Sequence, residues 1–432
     1  MRYHSTKNKN ITATLEEGVK SGMAPDNGLY MPEQIPVLSY SELAAIRNSN
    51  SLAETGLILS EKMFGDTIAT ADLEEIVHDS LNFDTPAVQV EEGIFALELF
   101  HGPTLAFKDV GARFMARLLQ YFTRDSDRIL HVLVATSGDT GSAVANGFLN
   151  VEGIVVHVLY PSGQVSKLQE KQFTTLGGNI TALEVDGTFD DCQALVKQAF
   201  ADEMLRGSMI LTSANSINLA RFLPQSFYYF RGWSQVEADE LVISVPSGNY
   251  GNLTAGLVAR EMGLPVHTFL AASNANDVVP EYLETAKYTP RPSVRTIANA
   301  MDVGAPSNFE RILALFDQRH DRIAKHLKGY RYSDDQIRQI IRDVHNRTGY
   351  LLDPHGATGY QAARSYIAEN PGTSALFMET AHPAKFPDVV NEATGHKVET
   401  PERLQAFALG KKESIPLSAD YDTFRSYLEG CQ

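Results

Sequence analysis

The feature that most restricts the fold is a repeated unit: an almost wholly apolar strand, a glycine-bearing turn, then a helix. Ile129-Leu-His-Val-Leu-Val-Ala runs into Thr136-Ser-Gly-Asp-Thr-Gly-Ser-Ala-Val-Ala, Gly153-Ile-Val-Val-His-Val-Leu-Tyr into Pro161-Ser-Gly, and Asn179-Ile-Thr-Ala-Leu-Glu-Val into Gly187. Leu241-Val-Ile-Ser-Val-Pro before Ser247-Gly-Asn-Tyr-Gly-Asn, Pro265-Val-His-Thr-Phe-Leu-Ala-Ala-Ser-Asn, and Ser374-Ala-Leu-Phe-Met continue the theme. A strand apolar at nearly every position must be covered on both faces. Strands of that kind joined through helices call for an α/β fold built on mostly parallel sheets. Ligands in such sheets bind outside the carboxyl ends of the strands, where these turns fall.

With 432 residues the chain is too long for one compact core. The patterning divides it into a mixed α/β region over 1–95, an α/β domain over 96–230 and another over 231–432, with a charged helical insertion near 305–350. In the first region Thr14 and Glu17 form the pattern of a capping box, and helices are expected over Ser39 to Asn48, Leu52 to Met63 and Ala71 to Ser80. Ala24-Pro-Asp-Asn-Gly-Leu-Tyr-Met-Pro signals turns. No residue type there points to catalysis.

The net charge of −16, with Lys and Arg unclustered, argues against a nucleic-acid surface, so an anionic ligand must be held by a local pocket. Cys192 and Cys431 are the two cysteines, too few and too far apart for a disulfide framework or a metal set. Neither a signal-peptide core nor an apolar run of membrane-spanning length is present, and a reducing cytoplasm fits.

Three stretches carry chemistry. Lys108 lies between Phe107 and a helical run containing Arg113. A lysine amine partly desolvated beside an aromatic ring and near another cation loses part of its proton and can form a Schiff base with an aldehyde. The plainer alternative is a lysine that snorkels from a helix start. The turn at Thr136–Ser142 offers hydroxyls and amides at a helix start to a carboxylate or phosphate. Within it, Asp139 would repel an anion, and serves equally well as the helix N-cap. The turn Val245-Pro-Ser-Gly-Asn-Tyr-Gly-Asn-Leu-Thr frees the backbone at Gly248 and Gly251, with Asn249, Asn252 and Thr254 as further donors. It has neither a Walker lysine nor dinucleotide-fingerprint spacing, so a phosphate without a nucleotide is the simpler ligand. An activated amine and two anion-gripping turns are what a pyridoxal-phosphate enzyme needs.

Thr104-Leu-Ala-Phe-Lys-Asp, Thr136-Ser-Gly-Asp-Thr-Gly-Ser, Asn215-Ser-Ile-Asn-Leu-Ala-Arg and Ser247-Gly-Asn-Tyr-Gly-Asn-Leu-Thr-Ala-Gly resemble the threonine synthases among the fold-type II pyridoxal-phosphate enzymes. The resemblance extends to Gly18–Pro32 and so runs nearly the whole chain. It implies two open, twisted, mostly parallel-sheet domains with the active site in the cleft. Lys108 would hold the cofactor as a Schiff base, Gly248, Asn249, Tyr250, Gly251 and Asn252 would cup its phosphate, and Thr380 would face its pyridine nitrogen. Asp139 stands where many relatives carry Asn near the phenolic oxygen. Asn215, Ser216 and Arg221 match positions that hold a substrate phosphate, and Ser137 and Thr140 match positions near the substrate carboxylate or phosphate. Without the family match, Arg221 reads as a surface salt bridge and Asn215 as a helix cap. The activity implied is conversion of O-phospho-L-homoserine and water to L-threonine and phosphate, by a monomer or a dimer. Two other readings remain open at this point: a threonine or serine dehydratase, and a non-catalytic protein that binds a phosphate ligand. His101, His382 and Lys385 read as residues that shape loops, and Asp353-Pro-His355-Gly resembles a family segment near the site.

Overall fold

The computed structural model describes residues 1–431. They form two compact units interleaved along the chain. One comprises Met1, Met31–Phe107 and Phe222–Glu399; the other comprises Arg2–Tyr30, Lys108–Arg221 and the residues from Thr400 onward. The expected succession of domains, 1–95, 96–230 and 231–432, is therefore replaced by a chain that crosses between units several times. Reading in chain order missed this because compactness depends on which strands pair, and pairing ignores sequence distance.

The first unit is built on a six-stranded sheet ordered Leu327–Arg331, Phe269–Ser273, Leu241–Pro246, Ser374–Glu379, Ile94–Glu98, Ala87–Glu91. All neighbours are parallel except the last pair, which is antiparallel. Alternation sorts its side chains. Ala96, Val242, Leu270, Ala375 and Phe377 pack with Ile337, Ile341, Ala357 and Tyr360 of the helices Asp334–Thr348 and Pro354–Glu369. Their neighbours Leu97 and Leu376 point the other way, against Gly232 of the helix Ser226–Ser234, where an added Cβ would come within 2.9 Å of both. The central strands are thus sandwiched between helices, which is why they can be apolar throughout.

The segment near 305–350 departs from the expected helical insertion. Helices Phe309–Leu315, His320–His326 and Asp334–Thr348 are present, but Leu327–Arg331 between them is the sheet's edge strand. Its Lys-Gly-Tyr-Arg composition hid it, since an edge strand needs no apolar alternation and is protected by charge.

The second unit has a five-stranded, wholly parallel sheet in the order Ile415–Ser418, Ile180–Asp186, Ile154–Pro161, Leu130–Ala135, Ile210–Ser213. Leu133, Leu159, Leu183 and Val185 meet Leu195 and Ala199 of the helix Phe189–Ala201 and Phe424 and Leu428 of the helix Tyr421–Glu429. The strand and helix after residue 400 are fixed to this unit by Lys412, whose ammonium lies 2.6 Å from Glu170 and 2.8 Å from Glu184. In the N-terminal part, Thr14 and Ser39 close the capping boxes of the helices Leu15–Ser21 and Tyr40–Arg47, and helices Leu52–Phe64 and Thr70–Ser80 lie where the periodicity puts them.

Candidate active site

In the first unit the strands Leu241–Pro246 and Ser374–Glu379 are parallel neighbours, with Ser244 opposite Phe377. Their carboxyl ends therefore open side by side into the turn at Ser247–Asn252 and into Thr380. The first of these becomes the helix Gly251–Glu261 through Tyr250, which takes a left-handed φ of 63° and provides no side-chain cap. Tyr250 thus caps none of the first amides of that helix, of which Leu253 N meets the Asn252 side chain, and a helix N-terminus without an N-cap side chain is suited to an anion. Gly248 allows the turn to lie flat on the segment behind it: an added Cβ would sit 2.6 Å from Met301 Cα.

The side chains of this turn do not serve as expected. Asn252 donates to Pro246 O at 2.8 Å and accepts from its neighbour Leu253 N, while Asn249 Oδ1 accepts from Ser307 N at 2.6 Å. Thr254 Oγ1 donates back to Tyr250 O, and the Tyr250 phenol is buried on Ser273 at 2.8 Å, where desolvation pushes its pKa up. Polar side chains in so buried a turn are used up holding the backbone in shape, leaving the main chain to face a ligand. Arg311, which no motif or spacing marks out, contributes from behind. It is fully buried, lies over the Phe222 ring at 4.0 Å and bonds Asn308, whose amide reaches Asn249 O; burial pushes its pKa down to about 9.

Thr380 is buried, and its carbonyl accepts from Phe107 N at 2.9 Å. Ala106 and Ala381 form an antiparallel bridge, His382 N donates to Leu105 O, and the buried Lys385 donates to Thr104 O at 2.9 Å. Residues 104–107, which lead directly into Lys108, are thus stitched to the loop that carries Thr380. His382 and Lys385 do shape that loop, and Lys385 does so from the interior.

In the second unit Lys108 is half-buried and opens the helix Lys108–Thr123. The turn after Leu130–Ala135 is organised by Thr136, whose Oγ1 accepts from Gly138 N at 2.9 Å and Gly141 N at 2.8 Å. Asp139 is not the helix cap: Gly138 holds that position with no side-chain bond, and Asp139, the first helical residue, accepts from Gln169 at 2.8 Å. Ser137 is exposed on this turn and Thr140 half-buried. Asn215 Nδ2 donates to Ala135 O at 3.0 Å, which sets the half-buried Asn215 and Ser216 beside the same strand end. Nor is Asn215 a cap, since Asn218 accepts from Ala220 N and donates to Val19 O and Ser213 O. Arg221 is buried, not a surface ion-pair residue. It donates to Ala214 O, and its pKa is pushed down to about 10 by burial, with Asp109 opposing the shift.

An uncapped helix start on a glycine turn, with a hydroxyl residue at the neighbouring strand end, fits the phosphate and ring of pyridoxal phosphate. Comparison with known proteins agrees. Residues 80–377 match the family model described as pyridoxal-phosphate dependent enzyme, residues 2–81 the threonine synthase N terminus, and residues 356–428 the threonine synthase C-terminal segment. The threonine synthase of Escherichia coli strain K12 is 42% identical over 431 residues, 99% of each chain. The chain belongs to the threonine synthase family. Among solved structures, Escherichia coli threonine synthase superposes with a TM-score of 0.93 at 41% identity over the whole of both chains. The pyridoxal-phosphate-bound threonine synthase of Brucella melitensis superposes with 0.94 at 34%, covering 100% of this chain and 99% of that one.

Proposed function

We infer that this chain is a pyridoxal-phosphate-dependent lyase that converts O-phospho-L-homoserine and water to L-threonine and phosphate. The observation that carries the reading is likeness to threonine synthases over the whole length, including the N- and C-terminal segments outside the cofactor-binding core. When bound, the cofactor supplies an aldehyde that condenses with amines and a ring that draws electron density from the substrate α-carbon. Lys108 is the amine that holds it, yields to the substrate amine and then moves a proton at Cα. The backbone of Gly248, Asn249, Tyr250, Gly251 and Asn252 would hold the cofactor's phosphate, and the Thr380 hydroxyl would meet its ring nitrogen. A hydroxyl there would not keep that nitrogen charged as a carboxylate would, which would favour proton transfers along the substrate chain. Asp139, bonded by Gln169, would stand near the cofactor's phenolic oxygen.

Asn215 and Ser216 grip the substrate phosphate, with Arg221 supplying positive charge under the turn through Ala214. Ser137 and Thr140 hold the substrate carboxylate. The reaction runs in the cytoplasm, and no helix among the described residues is long and apolar enough to cross a membrane. Incubation with O-phospho-L-homoserine and, separately, with free threonine tests the assignment. Phosphate release from the first without ketoacid from the second is expected; the opposite pattern assigns a dehydratase.

A further inference from the structure

Three buried residues that the reaction as described does not use connect the two ends of the cofactor seat. Glu379 is the last residue of its strand, directly before Thr380, and is fully buried. Its Oε1 accepts from Asp353 N at 2.6 Å. Asp353 is the N-cap of the helix Pro354–Glu369 and accepts from His355 N at 2.8 Å, His355 Nδ1 at 2.5 Å and Gly356 N at 3.2 Å. His355 Nε2 in turn accepts from Ala300 N at 3.2 Å, which fixes the imidazole as the neutral tautomer with its proton on Nδ1. Ala300 and Met301 are the backbone on which Gly248 rests, with an added Cβ only 2.8 Å from Ala300 O. The path from Thr380 to the phosphate turn is therefore continuous.

The donors also say where charge resides. Asp353 receives three hydrogen bonds and Glu379 one, so the pair's single negative charge belongs on Asp353 and the proton on Glu379. The other groups facing Glu379 favour this. Glu98, bonded to Tyr350 at 3.0 Å and His101 at 2.8 Å, adds negative charge nearby. Gly356 packs directly against the carboxyl, since a Cβ there would lie 1.6 Å from Glu379 Oε2. Burial first, and Asp353 second, hold the Glu379 carboxyl far above the usual carboxylate range.

We propose that Glu379, Asp353 and His355 are positioning residues that fix the spacing between Thr380 and Gly248, with Glu379 acting as a neutral acid. The proposal rests on the reading that this seat takes pyridoxal phosphate. Its test is a double-mutant cycle of Thr380→Ala and His355→Gln, read as the dissociation constant of pyridoxal phosphate from the apo-protein. Coupling of about threefold or more between the two substitutions is expected, as for residues in one network. Strict additivity overturns the relay. Glu379→Gln, which keeps shape, neutrality and a donor, is expected to bind the cofactor within about threefold of wild type, whereas Glu379→Asp, which withdraws the carboxyl, weakens it at least about tenfold. The reverse order overturns the neutral-acid assignment. Because Glu379→Gln is isosteric, it reports even where His355→Gln does not fold. If wild-type protein itself takes up no pyridoxal phosphate, the functional reading fails; if it does and the cycle is additive, the relay alone fails.

Discussion

The two units present their functional groups in opposite ways. In the first, Ser247, Tyr250, Asn252 and Thr380 are buried, the side chains of Tyr250 and Asn252 are bonded to protein partners, and the half-buried Asn249 accepts from Ser307 N. In the second, Ser137 is exposed and Thr140, Asn215 and Ser216 are half-buried on turns braced by Thr136 and Asn218. A tightly retained cofactor needs a seat with no freedom to relax, while a substrate that enters and leaves needs groups that water can also reach. With the cofactor assigned to the first of these and the substrate to the second, as proposed above, retention is built into interior packing and turnover into the rim.

Replacing residues on each side should separate these roles. Lys108→Ala is expected to lower phosphate release by about three orders of magnitude or more, with far-UV circular dichroism unchanged, since it removes the proposed covalent anchor and base. Gly248→Ala forces a methyl against Met301 Cα, an overpacking of about 1–3 kcal/mol, and should raise the dissociation constant of pyridoxal phosphate at least about tenfold. Asn215→Ala should raise KM about tenfold while leaving cofactor affinity within about twofold; an equal loss of cofactor would erase the contrast between the units.

A smaller effect concerns the second unit alone. His131 and His157 lie on neighbouring strands with rings stacked and ring nitrogens 3.1 Å apart, and His157 reaches the Tyr427 phenol at 3.0 Å. Burial holds both below the ordinary histidine value of 6.5, His157 at about 3. The folded state then binds fewer protons than the unfolded one, so stability is complete above about pH 6.5 and falls as pH drops toward 3. The slope is about 1.4 kcal/mol per pH unit for each histidine at most. His157→Gln should flatten the melting temperature measured from pH 7 to pH 4.

Much of this was legible in the sequence because burial on both faces leaves a compositional mark. Leu130–Ala135, Ile154–Pro161 and Leu241–Pro246 announce themselves, and so do the glycine turns that follow them. Ile210–Ser213 and Ile415–Ser418 escaped because each is four residues long at a sheet edge, the second with a proline, and such strands carry little apolar signal. Among the proposed site residues, Lys108, the 247–252 turn and Thr380 stood out through their motifs. The bracing residues did not. Asp353 and Glu379 meet only because their strand and helix pack together, and a buried arginine such as Arg311 looks in sequence like any charge on a helical face.

The crossing of the chain between units has a bearing on biosynthesis. The sheet holding Leu130–Ala135 gains its outer strand Ile415–Ser418 and its covering helix Tyr421–Glu429 only from residues translated long after the rest. On the ribosome, that sheet waits with one border open and part of its oily face bare until these later residues emerge.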